Sequence, residues 1–177
     1  MTELAAPDAY GTLIEPATFK VERVLPGPID RVWAYLTDSN LRRQWLASGD
    51  MQPKTGSVFE LTWRNDELAT LPGKRPQGMS AEHSMESRIL AYDPPHTLAF
   101  TWGDRGEVSF ELAQAGADVR LTLIHRRISD RRNMLMVGAG WHMHLDVLAA
   151  VTTGRTIEPF WQGWERLRAE YDQRLPA

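Results

Sequence analysis

The chain has 177 residues, 42% of them hydrophobic, and a formal net charge of −3. That length suits one domain with an added terminal element, and it can bury roughly 70% of the unfolded surface without staples. With no cysteine and no run of Lys or Arg, the composition excludes disulfides, thiolate metal sites and a cysteine nucleophile. It also argues against nucleic acid or an anionic membrane as partner.

Residues 1–16 read as a flexible arm. The opening MTELAAPDAYGTLIE lacks the basic and apolar regions of a signal peptide. No apolar stretch approaches the ~20 residues of a membrane span, so a cytoplasmic protein without membrane insertion is expected. Thr18 to Leu25 alternates like a strand, with Phe19, Val21, Arg23 and Leu25 on one face. Pro28 suits the first position of a helix carrying Ile29, Val32, Trp33 and Leu36, and Asp38 or Ser39 caps a second short one. Ser57 to Arg64 is the next strand. Residues 65–80, with two Pro and two Gly, are a long loop of the kind that carries function. His83 to Tyr92 then leads into a meander through Leu98–Trp102, Val108–Leu112 and Val119–Arg126, apolar on one face only.

After Ile128 the period changes. Asp130 caps a long helix striped by Met134, Val137, Trp141, Leu145 and Leu148, and Gly154 stops it. Gly138 and Gly140 inside it each cost about 1 kcal/mol relative to Ala and predict a kink or break. A last helix from about Pro159 carries Phe160, Trp161, Trp164, Leu167 and Tyr171. The fold class is α+β: a six- to seven-stranded antiparallel sheet around a long C-terminal helix, with two short helices after the first strand.

Certain phrases resemble a known family. Pro28-Ile29-Asp30-Arg31-Val32-Trp33, with Leu41 and Trp45-Leu46, resembles the start of START-related (SRPBCC) proteins. Asp93-Pro94-Pro95-His96-Thr97-Leu98, Thr101-Trp102, a strand ending at His125, and a helix with Gly140-Trp141 and His144-Leu145-Asp146 are similar to one subgroup. That subgroup is like the C-terminal domain of the activator of heat-shock protein 90 ATPase. The resemblance implies a helix-grip domain over residues 17–154, with 155–177 an appended helix. It also implies a cavity that takes lipids or other apolar ligands without a cofactor.

Trp45, Phe59, Trp63, Met85, Ser87, Phe100, Trp102, Phe110, His125, Trp141, His144 and Leu148 share the inner faces and are the candidate ligand-binding residues. For each, ordinary core is the competing reading. His142 and His144 form an H-x-H, but two helical positions turn through about 200°, so they cannot chelate one metal ion. Arg23 is a candidate buried cation in need of a partner, while Asp146 falls on the outer side of the helix. No nucleophile, phosphate or zinc motif is present, and no catalytic residue is assigned.

Three functions stay open: binding a small hydrophobic molecule; a cyclase, dehydratase or hydrolase using His125 or His144 as base; and a stress-related, chaperone-associated interaction domain. The last helix, with Trp on two sides, either caps the cavity or forms a homodimer contact.

Overall fold

The computed structural model describes residues 7–68 and 73–177. Strands β1 (Thr12–Glu15) and β2 (Thr18–Pro26) precede α1 (Ile29–Thr37) and α2 (Ser39–Arg42). Strands β3 (Val58–Trp63), β4 (His83–Asp93), β5 (Thr97–Trp102), β6 (Gly106–Ala115) and β7 (Asp118–Arg126) follow, then α3 (Arg131–Thr153) and α4 (Phe160–Arg174). The strands form one antiparallel sheet in the order β1-β2-β7-β6-β5-β4-β3. This is the expected α+β helix-grip architecture. Register sets Val108 opposite His125, Phe110 opposite Leu123 and Leu112 opposite Leu121, so one face of the meander is apolar throughout. That face is covered by α3, whose Trp141, Leu145 and Leu148 are fully buried.

The helix ends follow from local chemistry. The Asp38 carboxylate accepts from the N–H groups of Asn40 and Leu41 at 2.9 and 3.0 Å and starts α2. The Asp130 carboxylate accepts from Asn133 N–H at 2.8 Å and starts α3, and Gly154 ends it in the left-handed conformation at φ 68°. After α2 the chain is held by Arg42, whose buried guanidinium donates to the carbonyls of Leu36, Thr37, Ala47 and Gly49. Burial lowers the Arg42 pKa to about 10, which still leaves it charged at neutral pH.

Four expectations need correction. Residues 12–15 are not a loose arm but strand β1, paired through Thr12 to Lys20 and Leu13 to Phe19. Only Leu13 turns inward over four residues, too short a stretch to show a period. Residues 1–6 lie outside the described residues. Second, α3 runs unbroken from Arg131 to Thr153. Its glycines make room rather than a kink: a Cβ at Gly138 would sit 3.3 Å from the Phe19 ring, and one at Gly140 would face Trp164 at 3.9 Å. Third, α3 is long and apolar enough by composition to cross a membrane, although 67% of its apolar window is buried inside the fold. Fourth, Asp146 is half-buried and pairs with Arg23 at 3.0 Å, because the Arg23 side chain on β2 lies under the helix.

The loop after β3 turns through Asn65–Glu67 and docks on α4, where Trp161 Nε1 donates to Asp66 Oδ1 at 2.6 Å. Residues 69–72 of that loop lie outside the described residues.

The two helix glycines predict opposite responses to a methyl group. Gly140→Ala meets only an ordinary contact and gains helix propensity, whereas Gly138→Ala must push the fully buried Phe19 ring. The propensity gain is common to both, so urea melts should show Gly140→Ala more stable than Gly138→Ala by about 1 kcal/mol, the low end of an overpacking cost. Equal midpoints would remove the packing role assigned to Gly138.

Candidate functional site

The middle of the sheet–helix interface is filled. Phe59 packs edge-on to Phe100 at 5.4 Å between ring centres, Trp45 meets Phe110 at 6.3 Å, and Phe110 meets Trp141 at 5.8 Å. Trp45 is further fixed by its indole N–H, which donates to the Tyr35 carbonyl at 2.8 Å.

Open space begins at one end of this interface, where α3 and the ends of β3, β4 and β5 diverge and α4 closes over the gap. It is a cavity of about 430 Å³. Its walls include Trp63 from β3, Met85 from β4, Trp102 from β5, Met136, Gly140, Trp141 and His144 from α3, and Phe160, Trp161 and Trp164 from α4. Gly78 to Ala81, with His83 and Asn133, form the exposed mouth. No lining side chain among the described residues is a Lys, Arg, Asp or Glu.

Of the residues expected to bind ligand, Trp63, Met85, Trp102, Trp141 and His144 come together on this cavity. Trp45, Phe59, Ser87, Phe100, Phe110, His125 and Leu148 do not line it and are buried in the packed region instead. They share the same inner faces but lie where opposing rings already meet. Ser87 Oγ is sealed there without a hydrogen-bond partner. Sequence reasoning missed Met79, Met136 and Gly140 as wall residues. It did raise Phe160, Trp161 and Trp164 as a cap on the mouth, and those rings form the α4 wall.

The three α3 and β7 histidines have separate settings. His125 Nδ1 accepts the Trp141 indole N–H at 2.9 Å. His144 Nδ1 lies 2.8 Å from the Trp45 carbonyl oxygen and its ring packs on Phe160 at 4.8 Å. His142 points the other way: Nδ1 contacts the Tyr171 hydroxyl at 2.8 Å and Nε2 faces Asp146 Oδ2 at 3.4 Å.

The Tyr171 oxygen also accepts the Gly11 N–H at 2.8 Å, and Asp146 is held from β2 by Arg23. Burial pushes the Asp146 carboxyl up, but the His142 hydrogen bond and the Arg23 charge outweigh it and hold the group below its ordinary value. Burial pushes the Tyr171 phenol up, so it keeps its proton. The order acid, imidazole, phenol looks like a proton relay. Tyr171 is completely buried, however, so no substrate reaches it, and the row instead ties β2, α3, α4 and the Gly11 segment together.

The family model for activator of Hsp90 ATPase homolog 1-like proteins matches residues 26–153, and the chain belongs to that family, within the SRPBCC superfamily. Among solved structures it is similar to a Bordetella parapertussis protein determined by NMR in solution. The two share 39% identity over 98% of this chain and 94% of that one, with a TM-score of 0.79. It is also similar in fold to CalU16 from Micromonospora echinospora (22% identity, 88% and 86% of the two chains, TM-score 0.63). A conserved protein of unknown function from Enterococcus faecalis shares the fold as well (20% identity, 93% and 88%, TM-score 0.66). No curated protein matches the chain.

Burial lowers His125 and His144 from the ordinary 6.5 to about 4, against a smaller opposing effect of the Trp45 carbonyl on His144. Both rings are therefore neutral at neutral pH. Between pH 6.5 and 4 the unfolded chain binds protons that the folded chain does not. Stability is thus complete above about pH 6.5 and falls with decreasing pH, with the loss complete near pH 4. At pH 5 the loss should be about 2 kcal/mol for each histidine. Urea midpoints at pH 7.5 and pH 5 measure it; an unchanged midpoint would mean that these rings are not held neutral by burial.

Proposed function

We propose that this member of the activator of Hsp90 ATPase homolog 1-like family binds a small, flat, largely apolar molecule in the cavity between α3, α4 and the ends of β3–β5. The observation that supports this reading is the lining itself. Five of the chain's seven tryptophans, with Phe160 and several methionines, surround about 430 Å³ of open space. That volume lies in the range of small-molecule pockets, which are typically ~300–1,000 Å³ and mostly apolar with a few placed polar groups. Aromatic rings whose edges border a void gain dispersion and desolvation energy when a ligand completes the contact.

A surface-docking role has less support. Among the described residues, the large hydrophobic side chains that stand exposed are Ile14, Val24, Val58 and Leu90, one on each of four strands. Strands β1 and β2 lie at one edge of the sheet and β3 and β4 at the other, so these side chains form no continuous patch.

Gly140→Leu tests the reading, because the added side chain enters the cavity from a helix position with only Trp164 nearby. Native mass spectrometry of the purified chain should find a retained small molecule. Titration with the neutral probe N-phenylnaphthylamine should change the tryptophan fluorescence. In Gly140→Leu the probe affinity should fall at least tenfold while the melting temperature stays within a few degrees. Equal probe affinity for both chains would sink the proposal.

A further inference from the structure

The cavity has a definite polarity fixed by one histidine. A carbonyl oxygen can only accept, so the 2.8 Å contact between His144 Nδ1 and the Trp45 carbonyl requires the proton to sit on Nδ1. In the neutral ring Nε2 is then a bare acceptor. It has no hydrogen-bond partner among the described residues. His144 lines the cavity, and with Nδ1 committed to the Trp45 carbonyl, Nε2 is the ring nitrogen left to meet a ligand there.

The other lining groups agree. Three of the five wall indoles have already given their N–H away: Trp141 to His125, Trp161 to Asp66, and Trp164 to the Met136 carbonyl at 3.4 Å. An anionic headgroup would enter a space whose described lining offers no Lys or Arg and faces a neutral imidazole lone pair. It would lose its hydration without replacement, which is costly. An uncharged hydroxyl has the opposite fit: it donates to Nε2.

We infer that the ligand is an uncharged aromatic molecule bearing a hydroxyl whose proton is directed to His144 Nε2; this rests on the cavity being a ligand site. His144 is then the residue that sets specificity, choosing a phenol or alcohol over the ether and over the carboxylate of the same ring system.

Calorimetric titration of the full chain with naphthol, its methyl ether and the corresponding naphthoate tests this. Naphthol should bind about tenfold more tightly than the ether, the size of one net hydrogen bond. Naphthoate should bind more weakly than either. In His144→Phe the ether should bind as before and naphthol should fall to the same level. If that variant fails to fold, the comparison of naphthol with its ether on the native chain decides alone. Equal affinity for naphthol and ether, or naphthoate binding tightest, overturns the inference.

Gly140→Leu separates the two levels of the argument. If it abolishes binding of all three compounds and no preference for the hydroxyl exists, the cavity stands as a ligand site and the role of His144 falls. If all three bind Gly140→Leu as they bind the native chain, the cavity reading falls and this inference falls with it.

Discussion

The arrangement depends on how α3 is seated, and Trp141 fixes that seat. Apolar contact alone would let a 23-residue helix roll or slide on a greasy sheet, since hydrophobic burial has no direction. The indole N–H of Trp141 on His125 Nδ1 at 2.9 Å supplies one, and the Trp102 and Phe110 rings at 5.1 and 5.8 Å hold the indole from two sides. With that rotation set, His144 meets the Trp45 carbonyl and His142 faces the opposite flank, toward Asp146 and Tyr171. A buried polar contact of this sort contributes little net stability, but leaving either partner unpaired costs about 1–3 kcal/mol, so competing seats are disfavoured.

The cavity follows from the same seat. Over the middle of the sheet large rings face one another and close the interior. Toward the start of α3 the helix presents Gly140 and Met136 where a larger or stiffer residue would fill the gap. The helix α4 spans that gap without collapsing into it because it is fastened beyond both sides. Trp161 is bonded to Asp66 near its start, while Tyr171 meets His142 and Gly11 near its end. The part-buried Arg23–Asp146 pair lies behind the second fastening, where removing Asp146 would strand the buried Arg23 charge.

The sequence already carried most of the fold, for reasons of period. Alternation along Val108–Leu112 and Val119–His125 names the buried face, and Asp38, Asp130 and Gly154 mark helix ends by chemistry that acts over three or four residues. Strand β1 escaped because a four-residue edge strand has one inward side chain, and Gly140 was read by its helix propensity when its meaning is the space it leaves. The site was only half legible. Phe100, Phe110, Trp63 and Trp102 have the same pattern in sequence, since period tells which face a residue takes but not what stands opposite. What stands opposite Trp63 and Trp102 is α4, separated from them by some sixty to a hundred residues, and the loop bearing Met79 has no period to read.

The two neutral histidines show how the backbone can assign opposite chemistry to one residue type. His125 accepts from an indole, so its proton must lie on Nε2; His144 donates to a carbonyl, so its Nε2 must be bare. Burial keeps both uncharged at neutral pH, which makes these tautomers fixed features rather than one of several protonation states. In His125 the available lone pair is spent on locking the helix to the sheet. In His144 the bond to Trp45 spends the proton and leaves the lone pair to the cavity. The polarity of the open space is therefore decided outside it, by a main-chain oxygen of the segment that follows α2, which Arg42 and the Trp45–Tyr35 contact hold in place.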